Sequence, residues 1–138
     1  MLGDVGALEV VDLYAGTGAL AIEALSRGAT KATLVDVRPE TAIANIGALG
    51  LEGRAEVLAE DALAYLRVPG PSFDLILCDP PYRIAARLGP ELDQLLPPRL
   101  RPGGRIVIES SAREPLDLAL EPWRERRYGE ALLRIYRL

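Results

Sequence analysis

Short apolar runs alternate with longer helical segments along most of this chain, and that alternation limits what it can fold into. Five of the runs are predicted to be strands, at 9–14, 31–36, 55–59, 73–78 and 105–109, the first of them buried and the fourth covered on both faces. Strands that alternate with helices form a parallel sheet with helices on its faces. Each helix carries the chain back along the sheet, so that the next strand runs in the same direction as the one before. We therefore predict the α/β class, with a doubly wound and mostly parallel sheet.

The segments between and after these runs complete the expected architecture. Helices are predicted at 19–27, 39–49, 62–66 and 91–96, with a turn at 101–104. The tail is expected to add two strands, 123–128 and 131–138, joined at Gly129-Glu130 in an antiparallel C-terminal hairpin. A chain of 138 residues falls within the ~100–200 residues of a typical domain, so we expect 1–138 to form a single domain.

Composition excludes several kinds of catalytic chemistry. The chain has no histidine and one cysteine, Cys78, which excludes Ser-His-Asp and Cys-His catalysis, an internal disulfide and a thiolate zinc site. We expect no metal. The net charge of −4 is not that of a strongly cationic nucleic-acid-binding module. Because we find neither a signal peptide nor an apolar run near the ~18 residues of a membrane helix, we expect a cytoplasmic protein with no membrane partner.

A glycine-rich turn separates the first predicted strand from the first predicted helix. Gly16, Gly18 and Ala21 fit the pattern G-x-G-x-x-A, whose glycines let the backbone approach a ligand closely. Asp36 ends the next strand, where a carboxylate can accept hydrogen bonds from ribose hydroxyls. Together with Tyr14, which ends the first strand, these residues predict a cofactor site. The pattern is shared by nicotinamide, flavin and S-adenosylmethionine binders, and a tight turn beside a surface acid is the alternative.

Two further acids bear on the choice of ligand. Asp12 lies inside the first predicted strand, where a carboxylate would repel a pyrophosphate and suit a positively charged ligand such as S-adenosylmethionine. A helix cap or a satisfied buried acid is the alternative interpretation of Asp12. Asp61 could accept from an adenine amino group while the Ala62 N–H meets a ring nitrogen. Asp61 could equally cap the helix that begins at Ala62, and both roles can hold at once.

The sequence Asp79-Pro80-Pro81-Tyr82 directly follows the fourth predicted strand and is the most specific feature. Two consecutive prolines fix φ and donate no hydrogen bond, so the Pro80 carbonyl can be held towards a cavity. Asp79 and Pro80 then offer two acceptors to one exocyclic amino group of a base, which localises the nitrogen lone pair and aims it at an electrophilic methyl. Tyr82 offers a ring on which a planar base can stack. A rigid loop with an incidental acid is the alternative.

Arginines next to this loop are candidates for contacts with RNA phosphates. Arg83 and Arg87 adjoin it, and solvated surface is the alternative for both. Trp123 is expected to belong to the core or to cover a face of the sheet. Solvated surface is the expectation for three arginines that follow it: Arg124, Arg126 and Arg127.

Two segments resemble one known family. Residues 11–29, VDLYAGTGALAIEALSRGA, and residues 73–82, FDLILCDPPY, are similar to the RsmD-like family of bacterial 16S ribosomal RNA guanine-N2 methyltransferases. The resemblance spans nearly the whole chain. It implies a Rossmann-like methyltransferase sheet, S-adenosyl-L-methionine as cofactor, and 16S ribosomal RNA or the assembling small ribosomal subunit as partner. We expect a monomer.

The resemblance also implies roles for residues at matching positions. Asp36 would hold the cofactor's ribose and Asp61 its adenine amino group. The methionine part of the cofactor would contact Asp12, Gly16 and Gly18. The target guanine would be held by Asp79, Pro80 and Tyr82. Family members usually begin with a further segment that contains a basic β-hairpin and a helix, whereas the first strand here starts by Glu9. We therefore expect RNA docking to be weakened more than cofactor binding.

Three other functions fit part of the sequence. The same loop suits an adenine-N6 or cytosine-N4 methyltransferase of nucleic acid, since those bases also carry an exocyclic amine. The glycine pattern alone would fit a nicotinamide-dependent oxidoreductase, which leaves Asp-Pro-Pro-Tyr unexplained. A non-catalytic RNA-binding module could also keep the cofactor fold.

Overall fold

The computed structural model describes residues 6–138, and its strands and helices alternate along most of that length. The strands are β1 (Glu9–Leu13), β2 (Lys31–Asp36), β3 (Ala55–Ala59), β4 (Phe73–Cys78), β5 (Leu100–Ser111), β6 (Arg124–Tyr128) and β7 (Ala131–Arg137). The helices are α1 (Ala19–Ser26), α2 (Glu40–Ala48), α3 (Ala62–Arg67), α4 (Tyr82–Ala85) and α5 (Gly89–Leu95), with a 3₁₀ helix at Pro97–Arg99. Among the described residues, no helix has the length and apolar character that crossing a membrane requires.

All seven strands form one sheet, in the order β3-β2-β1-β4-β5-β7-β6. The first five strands are parallel, whereas β7 runs antiparallel to β5 and β6 antiparallel to β7. The chain starts in the middle of the sheet, builds outwards to β3, and then returns to build β4 and β5 on the other side of β1. Ligands of such sheets bind beyond the carboxyl ends of the strands, where the order reverses, here between β1 and β4.

Buried apolar side chains cover both faces of the sheet. Leu66 of α3 and Leu92 of α5 belong to the core on one face, and Leu25 of α1 and Ile46 of α2 belong to the core on the other. Helices on both faces and a mostly parallel sheet confirm the predicted doubly wound α/β class. The antiparallel C-terminal hairpin is confirmed as well, and Gly129 turns between β6 and β7 with φ +58°.

The structure differs from the prediction in three segments. The short helix α4 was not predicted, and α5 begins at Gly89 rather than at residue 91. The predicted turn at 101–104 lies within the long strand β5. There β5 shifts register against β4, because Phe73 pairs with Leu100 while Leu75 pairs with Arg105. The extra residues of β5 form a bulge that includes Gly103, whose φ is +79°. The chain therefore turns locally at 101–104, and pairing with β4 resumes after the bulge.

One buried arginine joins α3 to the start of β5. Arg99 is only 4% exposed. Its guanidinium donates to the carbonyls of Pro71 at 2.7 Å, Val68 at 3.2 Å, Tyr65 at 3.3 Å and Leu66 at 3.4 Å. It also lies 4.7 Å from the centre of the Tyr65 ring. The last carbonyls of a helix have no hydrogen-bond donor within the helix. Arg99 therefore supplies donors to carbonyls at the carboxyl end of α3.

Trp123 and the strand that follows it form an arginine-rich edge of the sheet. Three guanidinium groups lie over the half-buried indole ring: Arg137 at 4.0 Å, Arg124 at 4.3 Å and Arg105 at 5.0 Å from the ring centre. All five residues of β6 are exposed, Arg126 among them, as expected from the sequence. Cation–π contact therefore gathers three positive charges around one aromatic side chain.

Candidate functional site

A cavity of about 510 Å³ opens at the carboxyl edge of the sheet, within the ~300–1,000 Å³ typical of small-molecule sites. Its walls come from the segments that follow β1, β2, β3 and β4, together with part of β5. Ten of the residues singled out in the sequence line it: Tyr14, Gly16, Asp36, Asp61, Ala62, Asp79, Pro80, Pro81, Tyr82 and Arg83. Three others are not among its lining residues: Asp12, Gly18 and Arg87.

The glycine turn after β1 depends on left-handed backbone conformations. Tyr14, Gly16 and Gly18 have φ of +59°, +58° and +81°, and only glycine adopts such values at little cost. A Cβ on Gly18 would also lie 3.0 Å from the Leu34 side chain and 3.4 Å from that of Ala42. Gly18 thus lets α1 begin close to β2 and α2, while Gly16 presents its backbone to the cavity.

Asp12 lies beneath this turn. Its side chain is 1% exposed and its Oδ2 accepts a hydrogen bond from the Ala21 N–H, 3.2 Å away, in the first turn of α1. Its pKa is raised to about 8, chiefly by burial and to a smaller extent by the negative charges of Asp79 and Asp36, against the lowering effect of the Ala21 hydrogen bond. Asp12 is therefore mostly protonated at pH 7, and the structure matches its interpretation as a satisfied buried acid.

Asp36 holds the glycine turn from the end of β2. Its Oδ2 accepts from the Gly16 N–H at 2.7 Å and its Oδ1 from the Arg38 N–H at 2.8 Å. Each carboxylate oxygen has a second lone pair. The side chain is thus fixed at the cavity wall with acceptor capacity left for the hydroxyl groups of a ligand.

Asp61 and Tyr14 also line the cavity. Asp61 caps α3, because its Oδ2 accepts from the Ala64 N–H at 3.0 Å, which confirms the predicted cap. The Tyr14 hydroxyl is buried and has no hydrogen-bond partner among the described residues. Burial raises the pKa of Tyr14. A ligand in the cavity could supply the partner that this hydroxyl lacks.

The Asp-Pro-Pro-Tyr loop forms the remaining wall. The Asp79 N–H reaches the Leu13 carbonyl at 3.5 Å, so the loop continues the pairing of β4 with β1. Pro80 is buried, and the Pro81 carbonyl accepts from Ile84 and Ala85, which starts α4.

The tyrosine and arginines after these prolines face solvent. Tyr82 is 58% exposed beside the cavity, as a ring that stacks on a planar partner must be. Arg83 and Arg87 are both exposed, and only Arg83 lines the cavity. The loop therefore offers an acid, an aromatic face and one cation at the cavity mouth.

Sequence reasoning missed Glu109. This residue lies in β5 and lines the same cavity as Asp79, close enough for the two carboxyl groups to interact. Burial, and after it the interaction with Glu109 and that residue's negative charge, together raise the pKa of Asp79 to about 7. An acid at the carboxyl end of a predicted strand was the available signal. The other lining residues that the sequence reasoning did not single out for this site are Val35, Val37, Glu60 and Ile84.

No group of three or more His, Cys, Asp and Glu side chains within residues 6–138 is placed to hold a metal ion. Cys78, predicted to be a small core residue, is buried, and burial raises the pKa of its thiol. The polar groups that line the cavity are carboxyl groups, backbone groups, two tyrosines and Arg83.

Comparisons with known proteins agree on one type of enzyme. The model of the family described as conserved hypothetical protein 95 matches residues 1–137. Ribosomal RNA small subunit methyltransferase D of Escherichia coli is 32% identical over 136 residues, which cover 93% of this chain and 67% of that protein.

Solved structures are similar as well. An Escherichia coli structure described as a methyltransferase superposes with a TM-score of 0.82 and 30% identity, over 96% of this chain and 76% of that one. A Streptococcus mutans structure described as an S-adenosylmethionine-dependent methyltransferase shares the fold, with a TM-score of 0.79 and 16% identity over 96% of this chain and 45% of that one.

Proposed function

The chain belongs to the family described as conserved hypothetical protein 95, and from that membership we propose that it is an S-adenosylmethionine-dependent methyltransferase acting on ribosomal RNA. The comparisons confirm the resemblance inferred from residues 11–29 and 73–82. One observation carries the proposal: Gly16, Asp36 and Asp61 of the cofactor pattern and the Asp-Pro-Pro-Tyr loop line a single cavity. A methyl donor and a base can therefore meet in it.

The residues on the cofactor side fit S-adenosylmethionine. Asp36 would accept from the ribose hydroxyls, Asp61 from the adenine amino group, and the Ala62 N–H would face a ring nitrogen. Gly16 would let the backbone approach the methionine part. The bound cofactor supplies an electrophilic methyl group on its sulfonium. Asp12 would contribute indirectly to binding of the methionine part, because its hydrogen bond with the Ala21 N–H fixes the start of α1.

The residues on the other side fit a base with an exocyclic amine. Asp79 and the Pro80 carbonyl would each accept one hydrogen of the amino group, and Tyr82 would stack on the ring. Pro81 starts α4 and so fixes the loop. Positioning of this kind supplies much of the acceleration of a bimolecular transfer, because the reactants are already oriented.

We assign guanine N2 of 16S ribosomal RNA as the target, with adenine N6 and cytosine N4 as the competing amines. The name of the Escherichia coli relative, ribosomal RNA small subunit methyltransferase D, supports a ribosomal substrate. Because Asp12 is mostly protonated at pH 7, repulsion of a pyrophosphate does not by itself disfavour a nicotinamide cofactor. The Asp-Pro-Pro-Tyr loop and the family disfavour it instead.

The proposal extends to the setting in which the enzyme works. We place it in the cytoplasm, where bacterial ribosomal RNA is made and assembled, as a single-domain monomer that binds the RNA or the assembling small subunit. Arg83 and Arg87, on and just after the short helix that follows the loop, would contact RNA phosphates.

Calorimetric titration tests the cofactor. We expect S-adenosylhomocysteine to bind and NAD to give no heat of binding. A turnover assay with small-subunit ribosomal RNA then tests the reaction, with methyl transfer to guanine N2 as the expected result. Asp79→Ala should bind S-adenosylhomocysteine as the wild type does and lose transfer, since its carboxyl group is used when the amine reacts.

Each alternative has its own outcome. Binding of NAD in place of S-adenosylhomocysteine would identify an oxidoreductase. Binding of S-adenosylhomocysteine with no transfer to any base would identify a non-catalytic module. Methylation of adenine or cytosine would keep the enzyme class and change the target.

A further inference from the structure

Two carboxyl groups lie side by side where β4 ends beside β5. Cys78 pairs with Ile108 in the parallel register of these strands, and one residue further along each chain are Asp79 and Glu109. Matching positions on parallel strands lie side by side, so this register places the two acids together at the carboxyl edge. Both line the cavity, and Glu109 acts on the pKa of Asp79.

We propose that Glu109 is the second carboxyl of a proton-sharing pair, which positions Asp79 against the target amine and takes up the proton that the amine releases. This inference rests on the proposed function, because it gives Glu109 a role in the same transfer. Glu109 acts through Asp79 and is in that sense a positioning residue.

A hydrogen bond between two carboxyl groups needs one proton between them, because two carboxylates have only acceptors. Burial and the neighbouring Glu109 raise the pKa of Asp79 to about 7, so we assign the shared proton near neutral pH to Asp79. The Asp79 hydroxyl then donates to Glu109. The second oxygen of Asp79 stays an acceptor, and the shared bond fixes its direction.

The groups around the pair are mostly acidic, which favours keeping the proton. They come from β1, β2 and β4 and from the segments that follow β3 and β4, while Leu133 of β7, the residue that pairs with Glu109, carries no charge. The titratable and charged side chains concerned are Asp12 and Tyr14 at β1, Asp36 at β2, Glu60 and Asp61 after β3, Cys78 on β4, and Tyr82 and Arg83 on α4. Arg83 is the one cation in this set, and it is exposed.

The proton transfers balance. As the bond from nitrogen to the methyl carbon forms, the sulfur–methyl bond breaks and its electron pair stays on sulfur, which leaves a neutral thioether. The nitrogen gains a positive charge and gives one proton to the free oxygen of Asp79, while the Asp79 hydroxyl proton passes to Glu109. The methylated amine and Asp79 end neutral, and Glu109 ends protonated until water takes its proton.

Nuclear magnetic resonance of the carboxyl carbons tests the pair in the protein without ligand. We expect Asp79 in the wild type to titrate near pH 7. In Glu109→Gln, the amide donates to Asp79 and the negative charge is gone, so the Asp79 midpoint should fall by about one pH unit or more. If glutamine disturbs the fold, Glu109→Ala repeats the measurement, because it also removes the carboxyl and has a smaller side chain. An unchanged midpoint in folded variants would overturn the proposal.

Kinetics test the proton uptake. Glu109→Gln should lower kcat by roughly 100-fold and move the acidic limb of the pH–rate profile, because it removes a proton acceptor. Its KM for RNA and its affinity for S-adenosylhomocysteine should stay within about twofold, since Glu109 acts through Asp79 in the transition state. The matched control Glu114→Gln removes an exposed carboxyl five residues further along and should match the wild type in both readouts.

The outcomes separate this inference from the function on which it rests. If the wild type methylates RNA and Glu109→Gln has the same kcat and pH profile, the role of Glu109 is overturned and the proposed function stands. A wild type that binds S-adenosylhomocysteine and methylates nothing overturns the proposed function and the proton uptake together. In that case the titration of Asp79 still decides whether the two carboxyls share a proton.

Discussion

At the scale of single residues, the carboxyl group of Asp12 couples the folding of the chain to pH. Its pKa is about 8 in the folded protein against an ordinary 3.8, because burial disfavours the charge. Between these values the folded state binds a proton that the unfolded chain has lost. The free energy of unfolding must therefore fall as pH rises through this interval and level off above it.

Asp12→Asn should flatten this dependence. Asparagine keeps an oxygen for the Ala21 N–H and cannot ionise, so on the order of 2 kcal/mol of the fall between about pH 6 and 8 should vanish. Urea unfolding at several pH values measures it, with the exposed Glu52→Gln as control. The same slope in Asp12→Asn as in the wild type would show that Asp12 is ionised in the folded protein.

Asp36 fixes the glycine turn and faces the cavity at once. Asp36→Ala should weaken the binding of S-adenosylhomocysteine by about 1–3 kcal/mol, because charge-assisted hydrogen bonds to ribose are lost. Calorimetric titration measures this, and Glu40→Ala, an exposed acid at the start of α2, is the control. Unchanged affinity in a folded Asp36→Ala variant would remove Asp36 from the site.

The exposed ring of Tyr82 should matter more than its hydroxyl. Tyr82→Phe keeps the stacking surface and should change kcat/KM for RNA only slightly. Tyr82→Ala should cost about 1–3 kcal/mol, the usual contribution of one stacked base. Steady-state kinetics with saturating cofactor compare the two. Equal damage by phenylalanine and alanine would assign the effect to the hydroxyl and contradict stacking.

Most of the site could be predicted from the sequence because its residues directly follow strands. Asp36, Asp61 and Asp79 each end or follow an apolar run, and parallel strands bring their carboxyl ends to one edge. Glu109 also ends a predicted strand, 105–109, and was missed because nothing in that run pointed to a partner for it. Its contact with Asp79 depends on the register of β4 and β5, which local sequence does not give.

At the scale of the elements, short apolar runs predicted β2, β3 and β4 at their observed bounds. Most residues of β2 and β4 are buried, whereas β3, at the edge of the sheet, is only partly buried. The four-residue helix α4 was not predictable, because it depends on the conformation of Pro81 rather than on a periodic pattern. The bulge of β5 likewise depends on pairing with β4. Long periodic segments were therefore predictable and short or pairing-dependent ones were not.

The contacts of Arg99 make the junction of α3 and β5 a sensitive point. Arg99→Ala should lower the free energy of unfolding by about 3 kcal/mol, because several buried carbonyls lose a charged donor. Arg99→Lys, which keeps the charge but not the planar fork, should recover only part of it. Urea unfolding measures both, with exposed Arg87→Ala as control. A loss below about 1 kcal/mol in Arg99→Ala would mean that water replaces the guanidinium.

At the scale of the whole molecule, the distribution of charge decides how RNA approaches. The net charge is −4, so RNA binding depends on local groups of arginines. One pair, Arg83 and Arg87, is on or near α4 beside the cavity, and other arginines surround Trp123 at the far edge of the sheet. In the proposed function the first pair, of which Arg83 lines the cavity, would guide the base towards Asp79.

The dependence of RNA affinity on salt should identify the group that binds. Two phosphate contacts predict a slope of about 1.4 in a plot of log affinity against log salt. The double variant Arg83→Ala with Arg87→Ala should abolish most of this slope. Arg124→Ala with Arg126→Ala removes the same charge from β6 and should leave it unchanged. An equal effect of both double variants would mean that RNA also follows the far edge.

The outermost strand β6 also bears on how copies of this protein behave at high concentration. A strand at the end of a sheet exposes a row of backbone donors and acceptors that can pair with the same strand of another molecule. Here three of its five residues are arginines, in the sequence Arg-Glu-Arg-Arg-Tyr. Two such edges brought together would place like charges side by side, so the arginines protect the sheet from growing by self-association. Salt weakens that protection because it screens the repulsion, which makes dilute buffer the better storage condition for this protein.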